Sequence, residues 1–598
     1  MTTTDRTADW VPNPETQSIL KVLPDEIKGF ESEVEKFRAG GWEEAEFMGF
    51  RLKQGVYGQR QPDAQMVRIK FPFGGINDKQ MDAVGEVVGK YAPLEKGHLT
   101  TRQNIQLHHV LIQNTPDLMR IIGDVGLSTR EACGNTLRNV TGCPRAGVAA
   151  DEIFDVSPYA AAFARYFLRH ELSGGLPRKI KTAFSGCADD CAITPIHDLG
   201  MRAVIQDGVK GFKIVMGGGL SIFPKAAPTI YDFVPADDPQ WLRICEAALR
   251  VFNRAKEERV NRMKARMKFT IERVGAEEFR NQVEEELKGD WAKPAIDLPS
   301  LMVIEDEEAE VLAKNPEPSS VSLADLEGPA DFMEWKATNV EAQRQDGYNL
   351  VFIAITRGDL STEQIHGLAD LMRTHSNGKA RLDIQQNMAL RWVRTDELLT
   401  VFQALKGLGL NASGKHTIKD IVTCPGTDSC KLGITASMGL NQALRNTLAD
   451  YDTSDELIDQ IHIKASGCPN SCGQHHIANI GFHGAVMKGP GGQVPAYELF
   501  LGGEYEKDVK MGTRIKARVP AKKAPEVLLQ LLDFYKANRN EGEKFNSFVE
   551  RQDSGVFEAI IGEFKDVGPL NRDNLPNYMD WERDTVYKLE RGEGECAV

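Results

Sequence analysis

The chain has 598 residues, too many for one hydrophobic core, and its 41% hydrophobic and 26% charged content is that of a globular protein of roughly two to four domains. A formal net charge of −14 argues against a nucleic-acid binder, whose affinity rests on Lys and Arg contacts to phosphate. No apolar run approaches the ~20 residues of a bilayer-crossing helix, and "MTTTDRTADWVPNPETQ" has neither the positive start nor the apolar stretch of a secretion signal, so a cytoplasmic chain with reduced thiols is expected.

Residues 1–55 read as a polar N-terminal extension. Residues 56–125 hold a strand-like run, "MVRIKFPFGG", a helical stretch, "NDKQMDAVGEVVGKYA", and a second strand carrying "TTRQNIQLHHV", which together make a β-α-β unit. Residues 126–285 form a larger α/β region with "LRNVTGCP", "LPRKIK", "FSGCADDC", "MGGGLS" and "NRMKARMK". Residues 286–339 are charged and proline-containing and are read as a linker. Residues 340–410 repeat the β-α-β unit, with "YNLVFIAITRG", a helix capped by Ser361, and "LDIQQNMALRWV". Residues 411–598 carry "TCPGTDSC", "SGCPNSCGQHHIANIG" and a C-terminal tail that includes Cys596.

The two halves are related. An offset of 283 separates Gln103 from Gln386, Asn104 from Asn387 and Leu107 from Leu390, and an offset of 281 separates Cys187 from Cys468. A period this long means duplicated domains rather than a solenoid. One β-α-β unit from each half is expected to join in a single sheet.

Cys424, Cys430, Cys468 and Cys472 form a C-x5-C and a C-x3-C arm. Structural zinc sites favour C-x2–4-C in both arms, whereas an iron–sulfur cubane is broader and takes four thiolates. Gly426, Gly467 and Gly473 would let backbone approach the inorganic sulfides, and Pro425 and Pro469 would stiffen the loops. The competing reading is buried, unligated thiols. In the first half Cys143, Cys187 and Cys191 sit near equivalent positions without the C-x5-C arm, since Cys133 is the nearest other thiol. They are read as relics of duplication, with a second metal centre as the alternative that an iron count would settle.

These motifs, with "TTRQNIQ", "LPRKIK", "GGGLS" and "RMKFTIERVG", closely resemble the sirohaem- and 4Fe–4S-dependent assimilatory sulfite and nitrite reductases. The resemblance covers most of the chain. It implies an internally duplicated α+β fold, in which two ferredoxin-like half-domains pair and two larger α/β domains are related by a pseudo-twofold axis. It also implies a 4Fe–4S cluster on Cys424, Cys430, Cys468 and Cys472, with Cys472 bridging to sirohaem. The substrate cations would be Arg102, Arg138, Lys179 and Lys181, all from the first half, so that the active site lies between the halves. Alternation puts Lys179 and Lys181 on one strand face. Taken alone, "RKIK" would be a solvated basic strand. Plant-type nitrite reductases tend to have Lys-x-Asn where sulfite reductases have Lys-x-Lys, so the sequence leans to six-electron reduction of sulfite, with nitrite as the alternative.

Sirohaem carries carboxylates, and Arg262, Lys264, Arg266 and Lys268 are candidates to line it, against the competing reading of an exposed helix face. Gln103 and Asn104 are expected at the macrocycle edge. Tyr57 is expected near Cys143, His475 and His476 behind the bridging thiol, and Cys245 in a helix core. The triple glycine lacks G-x-G-x-x-G and is read as a close approach to cofactor. With no flavin or nicotinamide motif, a ferredoxin-type donor is expected, docking on a basic patch that the sequence does not locate. No membrane partner is expected, and a monomer is compatible with the sequence. A different class, an iron–sulfur electron carrier or corrin-pathway relative, would need no anion pocket.

Overall fold

The computed structural model describes residues 18–315, 317–506, 508–592 and 594–595. The polar lead-in before Ser18 and the tail residue Cys596 lie outside the described residues. Among the described residues no helix is long and apolar enough to cross a membrane.

Each half opens with the expected β-α-β unit. The helix Asp78–Tyr91 begins in a capping box between Asn77 and Gln80, and its counterpart Thr362–His375 begins in one between Ser361 and Gln364. Each box satisfies two backbone N–H groups that the first helical turn leaves open. The units do not merge into one sheet. They form two five-stranded sheets that exchange edge strands. Asp359–Ser361 of the second half pairs with Lys96–Leu99 of the first, and Gly75–Asn77 of the first pairs with Lys379–Leu382 of the second. Each exchanged strand covers an edge whose backbone groups would otherwise be open. Val84, Val88, Leu360, Ile365 and Leu390 share one continuous core, so the two half-domains are one packing unit.

The two larger domains repeat a second topology. In the first, Leu137–Gly142, Ile180–Ser185 and Leu199–Gln206 are parallel, and Val209–Met216 and Thr229–Pro235 continue the sheet antiparallel. In the second, Val422–Thr423, Ile463–Ser466 and Ile480–Gly489 are parallel, followed by antiparallel Gly492–Leu501 and Thr513–Pro520. Helix Gln240–Arg254 buries Cys245 in the first core, and helix Ala524–Asn538 packs into the second.

The stretch expected as a linker is a packed strap. It carries helices Leu298–Met302, Glu307–Lys314 and Ala330–Asn339. The Glu307 carboxylate accepts from Arg381 (2.7 Å), Arg391 (2.8 Å) and Trp392 (3.0 Å), all in the second half. Burial alone would raise its pKa, but the two guanidiniums hold the carboxyl well below the ordinary range. Charges of this stretch, which was expected to be a linker, instead serve ion pairs.

Candidate functional site

The parallel strands of the second domain bring the four cysteines to one end of a sheet. Thr423 lies opposite Ala465, so the loops that leave these strands run side by side. Open crevices beyond the carboxyl ends of parallel strands are the usual ligand sites of α/β sheets. The loops touch: a Cβ on Gly467 would lie 2.6 Å from the Gly426 Cα, and Gly426 has φ +54°. These two glycines are therefore needed for loop-to-loop contact within the protein, whatever approach to sulfide they also allow. The Gly467 N–H points at the Cys424 sulfur at 3.3 Å.

Burial raises the thiol pKa values of Cys424, Cys430 and Cys468, that of Cys430 to about 12, and the charge of Cys472 raises each further. The four sulfurs thus share one electrostatic neighbourhood. Cys468 is buried, Cys424 and Cys430 are half-buried, and Cys472 is exposed. Three thiols are enclosed and one opens outward. Behind it, the Ser466 hydroxyl meets the Gly473 N–H (3.1 Å) and His475 Nδ1 (3.0 Å), while His476 Nδ1 meets Ser471 (2.9 Å). Burial pushes both imidazole pKa values down, so His475 and His476 are neutral props of the cysteine loop.

The cations come from three segments of the first half. Arg102 lies in the turn between Lys96–Leu99 and Asn104–Leu111, Arg138 in Leu137–Gly142, and Lys179 and Lys181 at the start of Ile180–Ser185. Arg102 donates through Nη2 to the Asn139 carbonyl, while its Nε and Nη1 are buried with no partner among the described residues. Arg138 is clamped on the Ala132 carbonyl (2.9 Å) and, through two nitrogens, on that of Gly134 (3.1 and 2.6 Å). Ile180 is buried between half-buried Lys179 and Lys181, in keeping with the expected alternation.

Burial, followed by the charges of Arg102, Arg266 and Lys179, pushes the Lys181 pKa well below the lysine range, and the charge of Cys472 opposes the shift. Arg102 falls to about 9 through burial and then the charge of Arg138. Lys181 is therefore coupled both to the other cations and to the open thiol of the second half.

Of the expected macrocycle contacts, only some are available. Gln103 is fully buried and its amide is used by protein: Nε2 donates to the Gly142 (2.9 Å) and Leu382 (2.7 Å) carbonyls, and Oε1 accepts from the Gly142 N–H (2.8 Å). It positions the halves. Asn104 leaves its Oδ1 unpartnered among the described residues. Arg266 is engaged on both oxygens of buried Asp198 (2.9 and 2.6 Å), and Lys268 donates to the Gly219 (3.1 Å), Leu220 (2.6 Å) and Phe223 (2.5 Å) carbonyls. Arg262 and Lys264 are exposed. The triple glycine approaches protein: a Cβ on Gly218 would lie 2.0 Å from the Pro195 oxygen.

Tyr57 packs against a cluster of Leu52, Met66 and Cys133, whereas Cys143 lies in the first domain core beside Cys187. The thiol that shares the environment of Tyr57 is that of Cys133, not Cys143. Asp198 and Asn139 went unnoticed in the sequence. Asp198 follows the C-x3-C loop of the first half, the one signal that marked its neighbourhood.

A duplicated α+β chain that carries four cysteines on the loops beyond parallel strands has the architecture of a cofactor-binding protein. Residues 133–290 and 414–565 match the nitrite and sulphite reductase 4Fe–4S domain, and residues 57–125 and 341–408 match the nitrite/sulfite reductase ferredoxin-like half domain. A ferredoxin–nitrite reductase of Synechococcus elongatus is 30% identical over 84% of this chain and 92% of that protein. A sulfite reductase (ferredoxin) of Mycolicibacterium paratuberculosis is 30% identical over 82% of each. The solved structure of Mycobacterium tuberculosis NirA superposes with a TM-score of 0.74 at 26% identity, covering 90% of this chain and 96% of that one. The chain belongs to the nitrite and sulfite reductase family.

The residues present fit the two cofactors typical of that family, a 4Fe–4S cluster and sirohaem. Four thiols that share one electrostatic neighbourhood suit the cubane. The open thiol of Cys472 and the two unpaired buried nitrogens of Arg102 suit a second, anionic group.

Proposed function

We propose that the chain reduces sulfite to sulfide with electrons from a ferredoxin-type donor. The observation that carries this reading is the chain of cations in which Arg102 feels Arg138, and Lys181 feels Arg102, Lys179 and the open thiol of Cys472. Sulfite carries two negative charges, and Lys181, protonated when the anion is bound, supplies one charge that Lys-x-Asn would not.

In this reading Arg102 directs its two unpaired nitrogens at the substrate oxygens, where planar charged donors are most effective. Arg138, fixed by its backbone contacts, adds positive potential. Lys181 is the proton donor, since a lysine crowded by cations gives up its proton readily. Lys179 maintains that crowding. The six-electron reduction of sulfite to hydrosulfide consumes seven protons and releases three waters, so proton delivery matters as much as anion binding. Sirohaem, when bound, supplies an iron for the anion and, with the cluster, electrons one at a time; Cys424, Cys430, Cys468 and Cys472 would hold the cluster, and Cys472 would join the two.

The test is steady-state turnover of sulfite and nitrite with a reduced viologen. The expected result is a higher kcat/KM for sulfite, with Lys181→Asn losing more sulfite than nitrite turnover. A wild type that prefers nitrite, or equal losses on both substrates, overturns the assignment to sulfite.

A further inference from the structure

We propose that Cys143, Cys187 and Cys191 form a second metal centre that holds a single thiophilic divalent ion of the zinc class. Their three sulfurs lie within 4.8 Å of one another, and among the described residues no other set of three such ligands is this tight. The Cys187–Cys191 contact is 2.7 Å and the Cys143–Cys187 contact 3.5 Å. Thiolates bound to one tetrahedral zinc at ~2.3 Å stand about 3.8 Å apart, so small rotations of these side chains would admit one ion. A cubane spans more than one ion does.

The second half provides an internal comparison. Cys143, Cys187 and Cys191 each stand 281 residues before a proposed cluster ligand, namely Cys424, Cys468 and Cys472. The scaffolds also match in register: Gly142 opposes Phe184 as Thr423 opposes Ala465, at the same offset. At the fourth position, where the second half has Cys430, the first half has Ala149, which offers no ligand. On equivalent loops, the three first-half sulfurs lie within 4.8 Å of one another, and no three of the second-half sulfurs do.

The surroundings suit a small charged site. Cys143 and Cys187 are buried and Cys191 is half-buried, which leaves one side for entry and for water as the fourth ligand. Three thiolates around a divalent ion leave one net negative charge. Arg145 faces it, with Nη1 3.7 Å from the Cys191 sulfur, and its Nη2 is held by Glu341 at 2.7 Å. The loops so tied leave the ends of Leu137–Gly142 and Ile180–Ser185, the strands that carry Arg138 and Lys181. The ion would brace the two strands that hold those cations, outside the reaction itself.

Metal analysis of the purified holoenzyme, prepared without chelators, tests the proposal. The expected result is near-stoichiometric zinc beside iron for one cubane and one macrocycle. Zinc-edge X-ray absorption should give sulfur neighbours at ~2.3 Å. Cys191→Ser should lose the zinc and keep the iron and the visible spectrum. Iron sufficient for a second cluster, a Cys187–Cys191 disulfide in intact-protein mass spectra, three free thiols with background zinc, or zinc retained in Cys191→Ser would each overturn it. If the variant does not fold, the wild-type absorption spectrum decides alone.

Discussion

Gln103 offers the sharpest test of how the two halves are held. Its amide makes three hydrogen bonds, two to Gly142 in the first large domain and one to Leu382 in the second half. Gln386 does the mirror-image job, donating to the Leu99 carbonyl at 2.9 Å and accepting from the Thr423 N–H at 2.8 Å. Replacing Gln103 by Leu keeps most of the volume and removes three buried hydrogen bonds. At roughly 0.5–1.5 kcal/mol each, the loss is about 2–4 kcal/mol. Gln103→Glu keeps the acceptor for the Gly142 N–H but turns an oxygen toward two carbonyls. Its carboxyl will resist ionisation in the folded state, so stability should fall as pH rises above ~4.3, where the unfolded chain ionises. Guanidinium unfolding of the holoenzyme, followed by circular dichroism at several pH values, measures both effects. A loss below about 1 kcal/mol in Gln103→Leu would refute the claim that this amide ties the halves together.

Two further outcomes follow from buried charges. Arg266→Met strands the Asp198 carboxylate and should cost about 3–5 kcal/mol, with Asp198→Asn in the same chain recovering part of it; no recovery in thermal unfolding would mean that Arg266 acts elsewhere. Burial lowers Lys464 to about 7 from an ordinary 10.5, so the unfolded chain binds the extra proton between those values and stability rises with pH across that window. The penalty is fully present below pH ~7 and is at most about 5 kcal/mol. Lys464→Met should therefore gain stability over wild type at pH ~6 and lose that advantage toward pH ~10; an advantage unchanged with pH would show that burial does not lower the Lys464 pKa.

What could be read from the sequence was what repeats locally. The 281-residue offset located both cysteine sets because C-x3-C survives in each, and Ser361 was legible as a cap because a capping box is local. The exchange of edge strands was not legible. Gly75–Asn77 and Asp359–Ser361 are three residues each, too short to show an alternation. Residues 286–339 read as a linker because the partners of Glu307, Arg381 and Arg391, lie far along the chain. The same blindness hid Asp198, whose pairing with Arg266 turns an expected macrocycle contact into a buried ion pair. Four cations could be named by motif, but only the coordinates show that Arg102 keeps two nitrogens unspent.

In the proposed function Cys472 would serve both the cluster and the macrocycle, close to those cations. Mössbauer spectroscopy of the iron-57-enriched holoenzyme tests it most directly. A thiolate common to both centres predicts that every cluster iron feels the spin of the macrocycle iron, as one magnetic system. A cluster that stays magnetically isolated while the macrocycle is bound would contradict the account.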